Sequence, residues 1–410
     1  MIKRLKTKNK YDVFLFIIVA SLSGGDIGGY LQLSRVVGML LLIPLLQIIS
    51  KCKYVKTQSY VFVIFISYCI LSLLWTRNSV SGIKEIIYYI VHLILYVELI
   101  CFSQKALNPQ RSIAMGWCIA ALICCIIGIR EILYGVHLSI ASENNYYFNT
   151  GQNIIVRQVA FATYGNYNAF VTFLCFSFPW IFYLYQDKNR SGSYFRYLSL
   201  LTIVLLTLIV FTDGSRGGFL SLILMFAIYI VKIKKTTKAI FSLCLLGSIL
   251  GWLIYKYNDS IFVVLIARSS NMGLTEDSSR IEIWSNALKL LFETGGFGVG
   301  VGSLMTRMNE VSSGSISITH NVFMEFLVQF GIVFSIILGG FILKILRNTC
   351  KMSNNVNKVP VLMALMAMPI YGVINSGYLL APGFFILMGT IYVFVYGKKI
   401  NKNTLISYAY

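Results

Sequence analysis

Apolar runs recur along this chain at roughly the 17–25-residue length that a helix needs to cross a bilayer. They fall near residues 11–27, 31–50, 58–75, 83–102, 112–130, 168–185, 197–212, 218–231, 239–255, 321–343, 359–378 and 383–397. A soluble fold could not bury so many such runs, whereas lipid requires helices that satisfy their own backbone. The pattern predicts an all-α, polytopic membrane protein of about 12 transmembrane helices, forming one integral membrane domain over residues 1–410. Most connections are brief. Two are not: residues 131–167, and residues 256–319 between helices 9 and 10. Connections of that length usually carry function.

The longer connection has structure of its own to offer. Ser279 and Glu282 have capping-box spacing, which predicts a helix over 279–293. Ile281, Trp284, Leu288, Leu291 and Phe292 make an apolar stripe at near-helical spacing, and Gly295 and Gly296 suit its end. Such a helix is expected to lie along the membrane surface. Arg280 then falls at the first helical position, where a cation faces the positive helix end at a cost of roughly 0.3–1 kcal/mol. Glu276 and Asp277 would offset that, as would an anion held by the helix amides and the guanidinium.

A formal net charge of +20 invites a nucleic-acid partner, but its distribution argues against one. With the amino terminus inside, 24 of the 35 basic residues fall on the inward side, while 12 of the 15 acidic residues fall outward. This is the positive-inside asymmetry of a membrane protein, with both termini cytoplasmic and both long connections on the outer face. The first 25 residues resemble a signal peptide, yet a second apolar run follows within a few residues, so a retained first span is expected. The nine cysteines all fall in spans or inward segments, and no Cys/His spacing suggests a metal site. They read as packing residues. His92 and Glu98 lie inside the fourth apolar run and read as interhelical hydrogen-bonding groups.

Four motifs lie on the outer face in a fixed order. Arg157-Gln158-Val159-Ala160-Phe161-Ala162-Thr163-Tyr164-Gly165-Asn166-Tyr167-Asn168 leads into the sixth run, and Thr212-Asp213-Gly214-Ser215-Arg216-Gly217-Gly218 turns after the seventh. Arg280 with Trp284 follows, and then His320-Asn321. Together they resemble the O-antigen ligase and polymerase (Wzy/WaaL) superfamily of bacterial membrane glycosyltransferases. Ala160 stands where the family usually has glycine, Tyr167 where it has proline, and Gly214 is an extra residue in the second motif.

The resemblance implies a GT-C-like fold in the bacterial cytoplasmic (inner) membrane with its active face outward. It implies transfer of a glycan from undecaprenyl diphosphate to an acceptor hydroxyl. His320 would be the general base, a role suited to a group titrating near neutrality. Arg157, Arg280 and Arg216 would hold the diphosphate, for which arginine offers a planar, permanently charged fork. Asn321, Asn168, Ser215 and Trp284 would support the site. No cofactor and no metal is expected, and the lack of an Asp-x-Asp pair is consistent with electrostatic stabilisation alone.

Plainer roles stand beside these. Arg216 could pair with Asp213, Asn168 could only cap the sixth span, and His320 could be an interfacial histidine satisfied by backbone groups. Glu325 could orient the site, although five residues is a poor helical spacing from His320.

The expected partners are a lipid-linked glycan donor and acceptor, the bilayer, a chain-length regulator and a flippase. A repeat-unit polymerase making O-antigen or capsular polysaccharide fits best, because loose motifs are commonest among the family's polymerases. A ligase moving finished polymer onto a lipid A core differs in acceptor, which no local motif decides. A flippase would place paired ionisable residues along a central pathway, whereas these arginines cluster at the outer face. A non-catalytic partner in an export complex would be told apart only by activity.

Overall fold

A computed structural model describes residues 9–138, 147–149, 154–156, 159–186, 193–233, 273–311 and 319–406. Its α-helices are α1 (Lys10–Ala20), α2 (Leu33–Leu46), α3 (Lys53–Ser72), α4 (Ser79–Lys105), α5 (Pro109–Tyr134), α6 (Tyr167–Gln186), α7 (Ser193–Thr212) and α8 (Arg216–Ile233). There follow α9 (Gly273–Glu293), α10 (Leu304–Val311), α11 (Val322–Cys350), α12 (Asn355–Tyr371) and α13 (Pro382–Ile406). In the first long connection, strands β1 (Tyr147–Asn149) and β2 (Ile154–Val156) pair antiparallel, with Tyr147 opposite Val156.

Helices coincide with eleven of the twelve predicted apolar runs, and the ninth run, 239–255, lies outside the described residues. This is a polytopic helical membrane protein. Five helices among the described residues, α4, α5, α6, α7 and α11, are long and apolar enough to cross a membrane. Three of the shorter helices have local features that limit them. Helix α1 gives way to a 3-10 turn at Ser21, α2 stops two residues beyond Pro44, and α12 contains both Pro360 and Pro369. Proline removes a backbone donor and crowds the preceding turn.

The core forms where α1 packs on α4 and α5, α12 on α6 and α8, and α13 on α4. Trp117 and Trp180 are fully enclosed there. The indole of Trp117 donates to Thr390 Oγ1 at 3.1 Å, and Trp180 packs its ring 4.7 Å from that of Phe394. Both tryptophans thus tie an early helix to α13 while burying large apolar surfaces. His92 does make interhelical hydrogen bonds, described below, but among the described residues neither oxygen of the buried Glu98 has a hydrogen-bond partner.

The predicted helix over 279–293 needs correction. Helix α9 begins at Gly273, six residues earlier, so Ser279 and Glu282 lie inside it and do not form a capping box. Arg280 sits about two turns in, where the helix-end charge no longer matters, since that effect fades within the first turn. The packed stripe is also rotated. Ile283, Ala287, Leu290 and Leu291 are buried against α10 and α11, whereas Ile281, Leu288 and Phe292 are exposed, the last at 74%.

The glycine run after α9 is more than a helix end. Helix α11 is broken at Gly331 (φ 81°, ψ 179°), and the run docks on that break. Val299 N donates to Val328 O, Gly300 N to Gln329 O and Ile332 N to Gly296 O. A Cβ on Gly331 would lie 2.4 Å from the carbonyl oxygens of Gly296 and Phe297, so only glycine fits. Tyr68, Trp75 and Thr76 bind the carbonyls of Phe297, Gly298 and Val301 from the other side. This run anchors α9 to the bundle.

Candidate functional site

Arg157 lies outside the described residues, but the chain that follows it is held firmly. Asp213 Oδ1 accepts from the Ala160 amide at 2.9 Å, which ties this arm to the turn between α7 and α8. Glu131, buried at the end of α5, accepts from the amides of Phe161 and Ala162, both at 2.7 Å. Ala162 takes the left-handed conformation (φ 50°), and two charge-assisted bonds at that point are what hold it there. The expected cap of the sixth span is corrected: Asn166 Oδ1 accepts from Ala169 N at 2.8 Å, and Asn168 is simply the second residue of α6. Ser215 is buried and accepts from Gly218 N at 3.3 Å, so its hydroxyl caps α8 and leaves Arg216 exposed at the first helical position.

The third and fourth motifs meet directly. The Trp284 indole on α9 donates to Thr319 O at 2.9 Å. His320, next in line, is one of two non-glycine residues with positive φ among those described, at 45°. Asn321 then caps α11, its Oδ1 accepting from Phe323 N and Met324 N. The histidine is therefore pinned on both sides, by an indole before it and a helix cap after it. A left-handed backbone at a non-glycine residue costs about 1–3 kcal/mol and persists only where the surroundings over-determine it.

One connection, residues 372–381 between α12 and α13, gathers these pieces. Val322 N donates to Gly372 O at 2.9 Å, and Arg280 Nη1 donates to Val373 O at 3.2 Å. Gly217, beside Arg216, lies so close to Ile374 that a Cβ would come within 2.8 Å of it. Glu325 Oε1 and Oε2 accept from the amides of Gly377 and Tyr378, at 2.8 and 3.3 Å. Glu325 thereby holds this connection. The structure brings the described parts of all four motifs to one end of the bundle.

Sequence reasoning missed the other side of this hub. Arg35 on α2 is 7% exposed and donates through Nη2 to Leu380 O at 2.8 Å. Its Nε donates to His92 Nε2 at 3.2 Å. That nitrogen must therefore be unprotonated, leaving Nδ1–H to face Leu379 O at 3.3 Å. Arg35 also stacks on Tyr88, 4.0 Å from the ring centroid. Below the connection lies a cavity of about 380 Å³, lined by Asp26, Arg35, Tyr88, Tyr164, Asn166 and Asn375 among others. Asp26, in the α1–α2 connection, is pushed above the ordinary carboxylate range by burial, opposed by the Gly165 amide and the charge of Arg35. The signal was present in the sequence as an arginine within an apolar run, a costly placement that usually marks function.

Comparison with known proteins now bears on this geometry. A family model described as O-antigen ligase matches residues 201–339, the stretch that carries Arg216, Arg280 and His320. The teichuronic acid biosynthesis protein TuaE of Bacillus subtilis is 24% identical over 282 residues, covering 66% of this chain and 56% of its own length. A ComP-specific O-oligosaccharyltransferase of Acinetobacter baylyi is 23% identical over 333 residues, covering 77% of this chain and 57% of its own. The chain thus spans little more than half the length of these curated relatives. By these comparisons the chain is similar to proteins of the O-antigen ligase/polymerase superfamily.

Proposed function

We propose that this protein joins undecaprenyl-diphosphate-linked oligosaccharide repeats into a polysaccharide at the outer face of the bacterial cytoplasmic membrane. The observation that carries this reading is His320, held in a strained backbone conformation on a segment that shares the 372–381 connection with Arg280 of α9 and the α8 terminus that bears Arg216. An acceptor hydroxyl gives its proton to the imidazole as its oxygen bonds to the donor's anomeric carbon. The bond from that carbon to the diphosphate breaks, and its electron pair goes to the diphosphate oxygen. Arg280, Arg216 and Arg157 stabilise the charge that develops there, without a metal. Preorganised donors and cations are well suited to that task, because they need no reorganisation during the reaction.

A ligase is the second reading, favoured by the description of the family model that matches. The test uses purified full-length protein with purified lipid-linked repeats, with and without a divalent-metal chelator. A ladder of polymer that His320→Ala abolishes supports the polymerase. No ladder from the parent protein, with transfer only when a different acceptor is supplied, supports the ligase. Loss of activity with chelator overturns the metal-free chemistry.

A further inference from the structure

The cavity beneath the 372–381 connection has no part in the chemistry just described, yet it is equipped to bind. Its lining combines a carboxylate, a guanidinium and amides with tyrosine rings, through Asp26, Arg35, Gln32, Asn375, Tyr88 and Tyr164. Planar polar groups that exchange hydrogen bonds with hydroxyls, beside aromatic faces that cover C–H surfaces, suit a sugar ring.

Arg35 gives this lining its selectivity. Besides His92 and Leu380, it donates through Nη1 to Tyr30 O at 3.2 Å and to Gly29 O at 3.5 Å. Every one of these acceptors is neutral. Among the described residues no carboxylate lies within ion-pair distance of Arg35. Asp26, the acid in the same cavity, is engaged elsewhere: Oδ1 accepts from Gln32 Nε2 and Oδ2 from Gly165 N, both at 2.9 Å. Tyr88, which Arg35 also engages, is likewise neutral. Asp26 acts on this cation only from beyond ion-pair distance, so its burial is incompletely compensated, and an arriving anion would relieve that cost.

We propose that this cavity is a saccharide subsite in which Arg35 receives an anionic substituent of the glycan, a carboxylate or a phosphate. Asp26, Gln32 and Asn375 take its hydroxyls, and Tyr88 and Tyr164 wall the ring. The proposal rests on the glycan-transfer reading above. It adds that the repeat this protein handles contains an acidic sugar. The shared connection explains how such a sugar would matter to the reaction. Its Gly372 and Val373 carbonyls hold the segment bearing His320 and Arg280, while Asn375 lines the cavity.

The test is equilibrium binding of glucuronic acid, glucose 6-phosphate and glucose to the purified full-length chain. At least one acidic probe should bind about tenfold or more tightly than glucose, as expected of one added charge-assisted hydrogen bond. Which acid wins separates carboxylate from phosphate recognition. Arg35→Gln should remove the preference. Because that variant also loses native contacts, Asn375→Asp serves as an isosteric second probe that places a negative charge in the cavity and should abolish the preference too. His320→Ala should bind the acids as the parent does while losing polymer formation, so failure of the subsite is distinguishable from failure of the catalytic reading. Equal binding of all three probes, or a preference that survives both cavity variants, would overturn the proposal.

Discussion

The bond from Trp284 to Thr319 offers a sharp test of how His320 is held. Trp284→Phe keeps an aromatic ring beside the cluster of Ile283, Leu290 and Leu291 but removes the indole donor. Thr319 is 1% exposed, so its carbonyl would lose a partner in a place that water reaches poorly. Leaving a buried acceptor unsatisfied costs about 1–3 kcal/mol. The next residue already carries the left-handed strain, so relaxation there is the cheapest response. If that cost falls on the reacting geometry, turnover drops roughly 5- to 150-fold. The assay is initial rate of polymer formation at saturating lipid-linked repeat, with protein amounts matched and melting temperature measured alongside. Turnover within twofold of the parent would refute the argument that this bond positions the base. A fall in melting temperature large enough to account for the lost activity would refute it as well, since the tryptophan would then matter only as packing.

Other expectations follow from the same geometry. Arg280→Lys and Arg157→Lys keep the charge but lose the planar fork, so each should lower the rate roughly tenfold or more if the fork grips diphosphate. Near-normal rates in both would end the clamp assignment. Gly331→Ala should destabilise the protein by roughly 3 kcal/mol or more, through a glycine-only backbone conformation and contact with two carbonyls. An unchanged melting temperature would show that the docking of the glycine run is unimportant. In a cysteine-free background, a cysteine at the exposed Asn309 should react with an impermeant label from outside and one at Ser353 should not. The reverse pattern would invert the orientation on which the reaction's location depends.

The chain's own pattern was enough to determine that this is a many-helix membrane protein, because the requirement that lipid imposes is local. Each apolar run must satisfy its own backbone wherever it ends up, so its length and composition are legible one segment at a time. The order of the four motifs was legible for the same reason. What was not local was misread. The buried stripe of α9 faces α10 and α11, and the glycine run that follows it docks on a break in α11 some thirty residues further on. Capping-box spacing at Ser279 and Glu282 is satisfied equally well in the middle of a helix, so it could not mark the true start. Asn166, and not Asn168, caps α6 for a similar reason: two asparagines two residues apart compete, and the side chain that reaches the free amide at Ala169 decides. Only the tertiary structure revealed Arg35, Glu325 and the 372–381 connection as one assembly. Their partners lie between 52 and 345 residues away along the chain, and no periodicity or spacing records a contact closed over such a distance.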